Sequence, residues 1–408
     1  MKNRRITLML YGGIVLMFAL ACKHAGHVKE TSFETRLANQ FTVLLDKSDQ
    51  NLIKQFDSEQ HKIFPRSLNN IGEIDFVTSG DWCSGFFPGS LWMMADLSGV
   101  GTWQESALKY TLELEREQWN GRTHDMGFKI MGSYGMAYKY TEDSGYGDVI
   151  VQSAKTLLTR FNPVVGAIRS WDHNTDRWSF PVIIDNMMNL ELLFVATELT
   201  GDSVFYEHAV RHANITIEQH FRPDNSSYHV VDFNPETGAV NERVTHQGDS
   251  DDSAWARGQA WGLYGYTMCY RYTKDSTYLK QAVRIADFIF SHPNMPEDKI
   301  PVWDFNYSED SGEPRDVSAA AIVASALFEL SGYAGLRENE FEKLATDILD
   351  SLKSGYALTN GEKHGFLLDH SVGHKPRNGE VDVPIIYADY YFLEALLRQR
   401  KLSDNVNQ

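Results

Sequence analysis

The segment FPVIIDNMMNLELLF, Phe180 to Phe194, is almost wholly apolar and still carries a carboxylate, Asp185. An ionised group taken out of water without a partner is expensive. A carboxylate entering a core is therefore paired, used as a helix cap, or shifted toward its neutral form. A neutral acid with a proton to give is the raw material of acid catalysis, and a second acid nearby would be its counterpart. Asp125 is the candidate for that second acid. It follows His124 and opens MGFKIMGSYGMAY, another apolar stretch with helical spacing.

A second group of residues suggests what such a site would hold. In HQGDSDDSAWARGQAWGLYG, from His246, Arg257 and Trp261 stand four apart and share one helical face. An arginine fork beside an indole suits a carboxylated sugar ring, with charge for the carboxylate and an aromatic face for the ring's C–H side. An ion pair between Arg257 and a local acid is the competing account. Asp249, Asp251 and Asp252 lack the glycine and terminal glutamate of an EF-hand loop, so no metal is expected, and no cofactor motif is present. Trp82 in DWCSGFFPGSLWMM and Trp171 in RSWDH are loop aromatics at the same end.

Positioning these residues falls to a repeated helical unit. YKYTEDSGYGDVIVQSA from Tyr138, ATELTGDSVFYEHAV from Ala196 and YRYTKDSTYLKQAV from Tyr270 share a helix ending, Thr-x-Asp-Ser, an aromatic and a new amphipathic stretch. The Asp or Ser caps the incoming helix. Extending this pattern predicts twelve helices, over 33–59, 84–97, 102–118, 126–140, 146–160, 185–199, 203–219, 252–273, 275–292, 316–332, 338–354 and 384–401. Those starting near 84, 126, 185, 252, 316 and 384 are apolar on most sides, and their partners show a polar face. The expected fold is all-α, an (α/α)6 barrel of six inner and six outer helices. SSYHVVDFNPETGAV adds a small β-hairpin in one loop.

In that arrangement Trp82, His124, Asp125, Asp185, residues 247–252 and Asp316 gather at the starts of the inner helices. Each aspartate alone reads as an N-cap. Capping does not explain the Trp, His, Gln and Arg in the same layer.

The N-terminus sets the compartment. Lys2, Arg4 and Arg5 precede an apolar run ending Ala-Leu-Ala-Cys at Cys22, so residues 1–21 read as a lipoprotein-type signal peptide and Cys22 as the lipidated residue. The expected location is exported, periplasmic or anchored to the outer membrane, with membrane contact only through the lipid. Residues 22–408 read as one catalytic domain. Removing the signal takes away three positive charges, leaving 35 Lys and Arg against 55 Asp and Glu, a net −20. That excludes nucleic acid as a partner. Cys83 and Cys269 fall at opposite ends of the barrel, so no disulfide is expected.

The motifs WCSGFFPG, THDMGF, PVIIDNMMNLELLF, THQGDSDDSAWARGQAWGLYGY and IIYADYYFLEAL together resemble those of glycoside hydrolase family 88, the unsaturated glucuronyl hydrolases. The resemblance runs from about residue 80 to 397. It implies an (α/α)6 barrel that removes the 4,5-unsaturated uronic acid left by polysaccharide lyases on the non-reducing end of glycosaminoglycan oligosaccharides, by adding water across C4=C5. It implies Asp185 as proton donor and Asp125 as second acid. Trp82, His124, Trp171, His229, Thr245, Gln247, Arg257 and Trp261 would line the sugar subsite, with Ser371, His374 and Lys375 from LDHSVGHKPRNGE as further contacts. Cys83 stands where Thr is commoner, and Asp249 where Tyr often follows the glycine. Two other readings compete: an unsaturated rhamnogalacturonyl hydrolase acting on pectin fragments, and a non-catalytic sugar-binding lipoprotein.

Overall fold

Helix α1 (Phe33–Gln55) leads into strands β1 (Phe64–Leu68) and β2 (Ile74–Val77), then α2 (Phe86–Ser98) and α3 (Thr102–Leu112). The computed structural model describes residues 31–56 and 58–406; the expected signal peptide and Cys22 lie outside them. Next come α4 (Met126–Ile130), a π-helical turn (Met131–Gly135), α5 (Met136–Thr141) and α6 (Ser144–Leu158). Strands β3 (Phe161–Asn162), β4 (Ala167–Ile168) and β5 (Pro181–Ile183) precede a 3-10 turn (Ile184–Asn189), α7 (Leu190–Thr200) and α8 (Ser203–His220). Strands β6 (Val230–Phe233) and β7 (Val240–Val244) follow, then α9 (Ala256–Thr273), α10 (Ser276–Ser291), α11 (Val317–Ser331) and α12 (Glu338–Ser351). The chain closes with β8 (Ser371–His374), β9 (Gly379–Val383) and α13 (Ile386–Val406).

The Thr-x-Asp-Ser repeat works as a turn for three reasons that recur at each copy. Asp143, Asp202 and Asp275 accept from the N–H groups of Gly145, Val204 and Thr277, capping α6, α8 and α10. Each Asp N–H donates to the hydroxyl of the Thr two residues earlier, Thr141, Thr200 or Thr273. The residue between, Glu142, Gly201 or Lys274, adopts the left-handed conformation that ends the preceding helix.

Packing divides the helices as their patterns predict. The sequence α2, α4–α5, α7, α9, α11, α13 forms a ring in which neighbours touch and α13 returns to α2. Every residue of α11 except Glu329 is buried, whereas α12 buries only the stripe Phe341, Ala345, Ile348 and Leu349. The barrel is the (α/α)6 architecture expected, and the described chain from Phe33 onward is one compact unit.

The structure departs from expectation mainly at helix ends. The helix expected from 185 begins as a tight 3-10 turn, the one expected from 252 begins at Ala256, and α3 stops at Leu112 before a separate 3-10 turn (Glu115–Trp119). The predicted hairpin is present as β6–β7, but β5 joins it in a three-stranded sheet, and β1–β2, β3–β4 and β8–β9 form three more small sheets. Cys83 and Cys269 are free and buried.

One close approach decides how the two candidate acids sit. A Cβ on Gly127 would lie 2.4 Å from the Asn189 Cα, so the start of α4 and the turn holding Asp185 meet backbone to backbone. Asn189 Oδ1 accepts from the Phe128 N–H at 3.0 Å across the same junction. Gly127→Ala should lower stability by about 2–3 kcal/mol through overpacking and reduce activity by separating the acids. Urea unfolding measures the first effect; an unchanged midpoint would show that the two elements are free to part.

Candidate active site

Asp316, Asp125 and Asp185, three of the acids at inner-helix starts, are used differently. Asp316 is a true cap: it accepts from the Ser318 and Ala319 N–H groups. Asp125 makes no side-chain cap bond. Its Oδ2 instead accepts from the Thr123 hydroxyl at 2.5 Å, and its Oδ1 lies 3.2 Å from His124 Nε2. Asp185 lies within its turn, 8% exposed, and its Oδ2 has no hydrogen-bond partner in the protein.

Burial is the main reason the Asp185 carboxyl is pushed up to about 7, and the nearby Asp125 adds to it. The positive Arg257, Asp185's own backbone N–H and the Trp261 indole oppose the shift without cancelling it. The carboxyl is thus poised near neutrality rather than ionised.

His229 faces this carboxyl in a single tautomer. Its Nδ1 accepts from the N–H groups of His246 and Gln247, at 3.1 and 3.0 Å, so the ring's hydrogen resides on Nε2. Nε2 lies 3.7 Å from Asp185 Oδ2. Burial holds the His229 pKa well below its usual value, leaving a neutral N–H donor beside the acid. Strand pairing sets this geometry: Ile183 pairs with Val230, and the Ile184 N–H donates to the His229 carbonyl at 3.1 Å.

The other expected site residues fall into two sets. Trp82 packs on Phe128 and Tyr387, and Phe128 on Trp261, forming one aromatic wall. Trp171 stacks on His173 and touches Trp178, His229 and His246, forming a second. Arg257 is almost fully buried. It pairs with Asp316 at 3.2 Å, donates to the Val372 and Gly373 carbonyls, and lies over Trp255 and Tyr387, so its two terminal nitrogens are committed within the protein. Gln247 Nε2 also donates to the Gly373 carbonyl. Thr245 holds its own turn, its hydroxyl accepting from the Gly248 N–H. Ser371 is buried with its hydroxyl unpartnered, and both ring nitrogens of His374 are likewise unpartnered. Lys375 pairs with Glu313 at 2.6 Å.

Five residues of the walls, Phe128, His173, Trp178, His246 and Tyr387, were not singled out from the sequence, and two of them link remote segments. His246 bridges Trp171 and His374, and Tyr387 bridges Trp82 and Arg257 with its hydroxyl unpartnered. Both lie inside the motifs quoted above, but nothing in their spacing marks them. Among the described residues no group of three His, Cys, Asp or Glu could hold a metal ion.

An (α/α)6 barrel with a near-neutral buried acid, a second acid and two aromatic walls defines a hydrolase built for acid chemistry on a sugar ring. No family model matches the chain. It is 48% identical over 371 residues to the unsaturated glucuronyl hydrolase of Formosa agariphila, spanning 87% of this chain and 92% of that one. It is 32% identical to the unsaturated chondroitin disaccharide hydrolase of Streptococcus agalactiae over 82% of this chain and 84% of that one. The crystal structure of an unsaturated glucuronyl hydrolase specific for heparin, 44% identical, superposes with a TM-score of 0.84 over 91% of this chain and 98% of the other. The chain belongs to the unsaturated glucuronyl hydrolases of glycoside hydrolase family 88. Membership favours the hydrolase over the rhamnogalacturonyl and non-catalytic readings.

The raised Asp185 pKa has a consequence for stability. The folded state holds this proton between pH 3.8 and about 7, where the unfolded chain releases it. Stability therefore falls as pH rises through that window and levels off above it. Asp185→Asn removes the effect. Its stability relative to wild type should increase from pH 4 to 7 by up to about 4 kcal/mol, read from denaturant unfolding at a series of pH values. A gap independent of pH would mean that the carboxyl is ionised throughout.

Proposed function

We propose that the protein removes the 4,5-unsaturated uronic acid from the non-reducing end of lyase-generated glycosaminoglycan oligosaccharides. The observation that carries this reading is the Asp185 carboxyl, held near pH 7 with a free Oδ2 beside a fixed N–H donor. In the proposed reaction Asp185 protonates C4 of the vinyl ether. Positive charge develops at C5, where the ring oxygen shares it, and water adds at C5 while returning a proton to the Asp185 carboxylate. The resulting hemiketal opens and expels the remaining sugar. His229 Nε2–H steadies Asp185 as its charge changes, and Asp125 is the second acid.

Trp82, Trp171 and Trp261, with His124, Thr245 and Gln247, form the proposed sugar subsite. Arg257 contributes positive field and ties the rim formed by β8 and β9 to the barrel. Ser371 and Lys375 on that rim are the proposed contacts of the neighbouring sugar, and sulfate reaching Lys375 must compete with Glu313. The names of the relatives, one acting on chondroitin disaccharides and one specific for heparin, support this class of substrate.

A panel of lyase-generated disaccharides tests the reading, with loss of the 4,5-unsaturated absorbance as the signal. Wild type should lose activity as pH rises through about 7, the value at which Asp185 ionises. Asp185→Asn should fall at least 10²-fold, the lower range for acid–base catalysis. Lys375→Ala should lose activity on sulfated members by up to roughly tenfold and spare the rest. No turnover of any unsaturated uronide by wild type would refute the function.

The lipoprotein signal motif supports a further proposal, that the protein is exported and anchored by lipid at Cys22. Metabolic labelling with palmitate should mark wild type and not Cys22→Ser; absence of label in both would remove the anchor.

A further inference from the structure

The reaction outlined above makes no use of Arg160, a buried guanidinium two residues past the end of α6. Four of the five N–H groups of such a side chain are engaged here. Nε donates to the Arg169 carbonyl at 2.8 Å, and one terminal nitrogen donates to the Gly121 carbonyl at 2.7 Å. Both terminal nitrogens also grip the Asp172 carboxylate, each at 2.9 Å. Those bonds are the main reason the Asp172 carboxyl is held below its usual pKa, so the pair is ionic.

The two segments joined in this way deliver two separate parts of the site. Gly121 stands three residues before His124 and four before Asp125. Asp172 directly follows Trp171, the centre of the second aromatic wall. Neither segment is carried by a helix or strand at this point, since residues 120–125 and 169–180 lie between elements. The Ser170 N–H still donates to the Pro181 carbonyl at 2.8 Å, and past it the Asp172 carboxylate fastens the chain to Arg160. A guanidinium is planar and its donors form a fixed fork. One such group bonded to both segments sets their separation and their angle together. The far end of the acid loop is tied down separately. Glu117 accepts from Lys129 Nζ at 2.9 Å, from the Ser79 hydroxyl at 2.7 Å and from Asn120 Nδ2 at 2.7 Å. Those bonds hold the loop to α4 and to the segment before Trp82.

We propose that Arg160 is a positioning residue that sets the gap between Asp125 and the Trp171 wall, acting on the first through Gly121 and on the second through Asp172. The sugar ring of the proposed reaction has to fit that gap. This deepens the function proposed above and rests on it for its kinetic consequences, but not for the coupling of the two segments. Loss of Arg160 frees residues 121–125 and the Trp171 segment, while Glu117 and Lys129 keep the Trp82 segment in place. Positive charge alone does not replace it, because an ammonium lacks the fork that holds a carboxylate by two bonds and a carbonyl by a third.

Two measurements on the full chain decide the proposal. In Arg160→Met, amide hydrogen exchange read by mass spectrometry should rise together in peptides covering 120–125 and 169–173, and stay at the wild-type level over 79–86. Asp172→Asn, at a side chain 46% exposed, should raise exchange at 169–173 and change 120–125 less. A wild-type pattern in Arg160→Met, or a rise spread over the whole chain, overturns the proposal whether or not the protein turns over unsaturated uronides. Kinetically, Arg160→Met should lower kcat/KM on the disaccharide panel roughly tenfold to a hundredfold, the loss expected from a small misplacement. Its kcat should fall and its KM rise together, whereas Asp172→Asn, which releases the wall alone, should raise KM more than it lowers kcat. Arg160→Lys should recover little of the loss; full recovery would show that charge and not the fork matters, and would overturn the proposal. A lowered urea midpoint with kcat and KM unmoved would make Arg160 a stability residue and overturn it too. Should Arg160→Met fail to fold, Arg160→Lys decides by the same paired rise in exchange. An inactive wild type whose two segments loosen together in Arg160→Met would sink the proposed substrate and leave the coupling standing.

Discussion

Keeping the Asp185 carboxyl out of water is the constraint on which the proposed site depends, because a carboxyl keeps its proton near neutral pH only if its anion is poorly solvated. The fold meets this by placing the acid in a tight turn between β5 and α7 instead of at an open helix N-terminus. A capping position would have surrounded the carboxylate with N–H donors and driven its pKa down, as the helix dipole favours an anion there. Asp316, one inner helix start away from α9, shows that alternative realised: its carboxylate takes two N–H groups and the Arg257 guanidinium.

The small sheets extend the same constraint outward. β5 and β6 carry Asp185 and His229 into register, and the turn after β7 supplies the two N–H groups that fix the histidine's tautomer. On the opposite rim, the β8–β9 hairpin is held from two sides. Arg257 and Gln247 reach the Gly373 carbonyl from the barrel, and Arg66 grips Glu380 with two bonds of 2.7 Å while reaching Asp81 beside Trp82. The rim is therefore continuous with the catalytic layer rather than a loop laid across it. Arg257 belongs to this scaffold. The account in which it pairs with a neighbouring acid describes its terminal nitrogens, and the acid is Asp316, from the next inner helix.

The fold was legible because its information is local and repeated. Thr-x-Asp-Ser turns depend on bonds spanning two residues, and the contrast between α11 and α12 is visible in which positions are apolar. Helix boundaries were less legible: the tight start at Ile184 and the π turn at 131–135 answer to neighbours such as Gly127 and Gly85, whose backbones approach other helices at distances no side chain allows. His246 and Tyr387 were missed for the same reason. Each bridges two walls contributed by remote segments, and such bridging leaves no spacing in the chain.

What the sequence determined by itself was the architecture, the family and the inventory of acids, because periodicity, capping and motifs are written within a few residues of one another. Which acid caps a helix and which is buried with an unpartnered oxygen was decided only by tertiary structure. An aspartate at a helix start looks the same in either role. The difference lies in how many N–H groups, cations and lone pairs the rest of the fold brings within about 3–4 Å, the range over which hydrogen bonds and charges set a pKa.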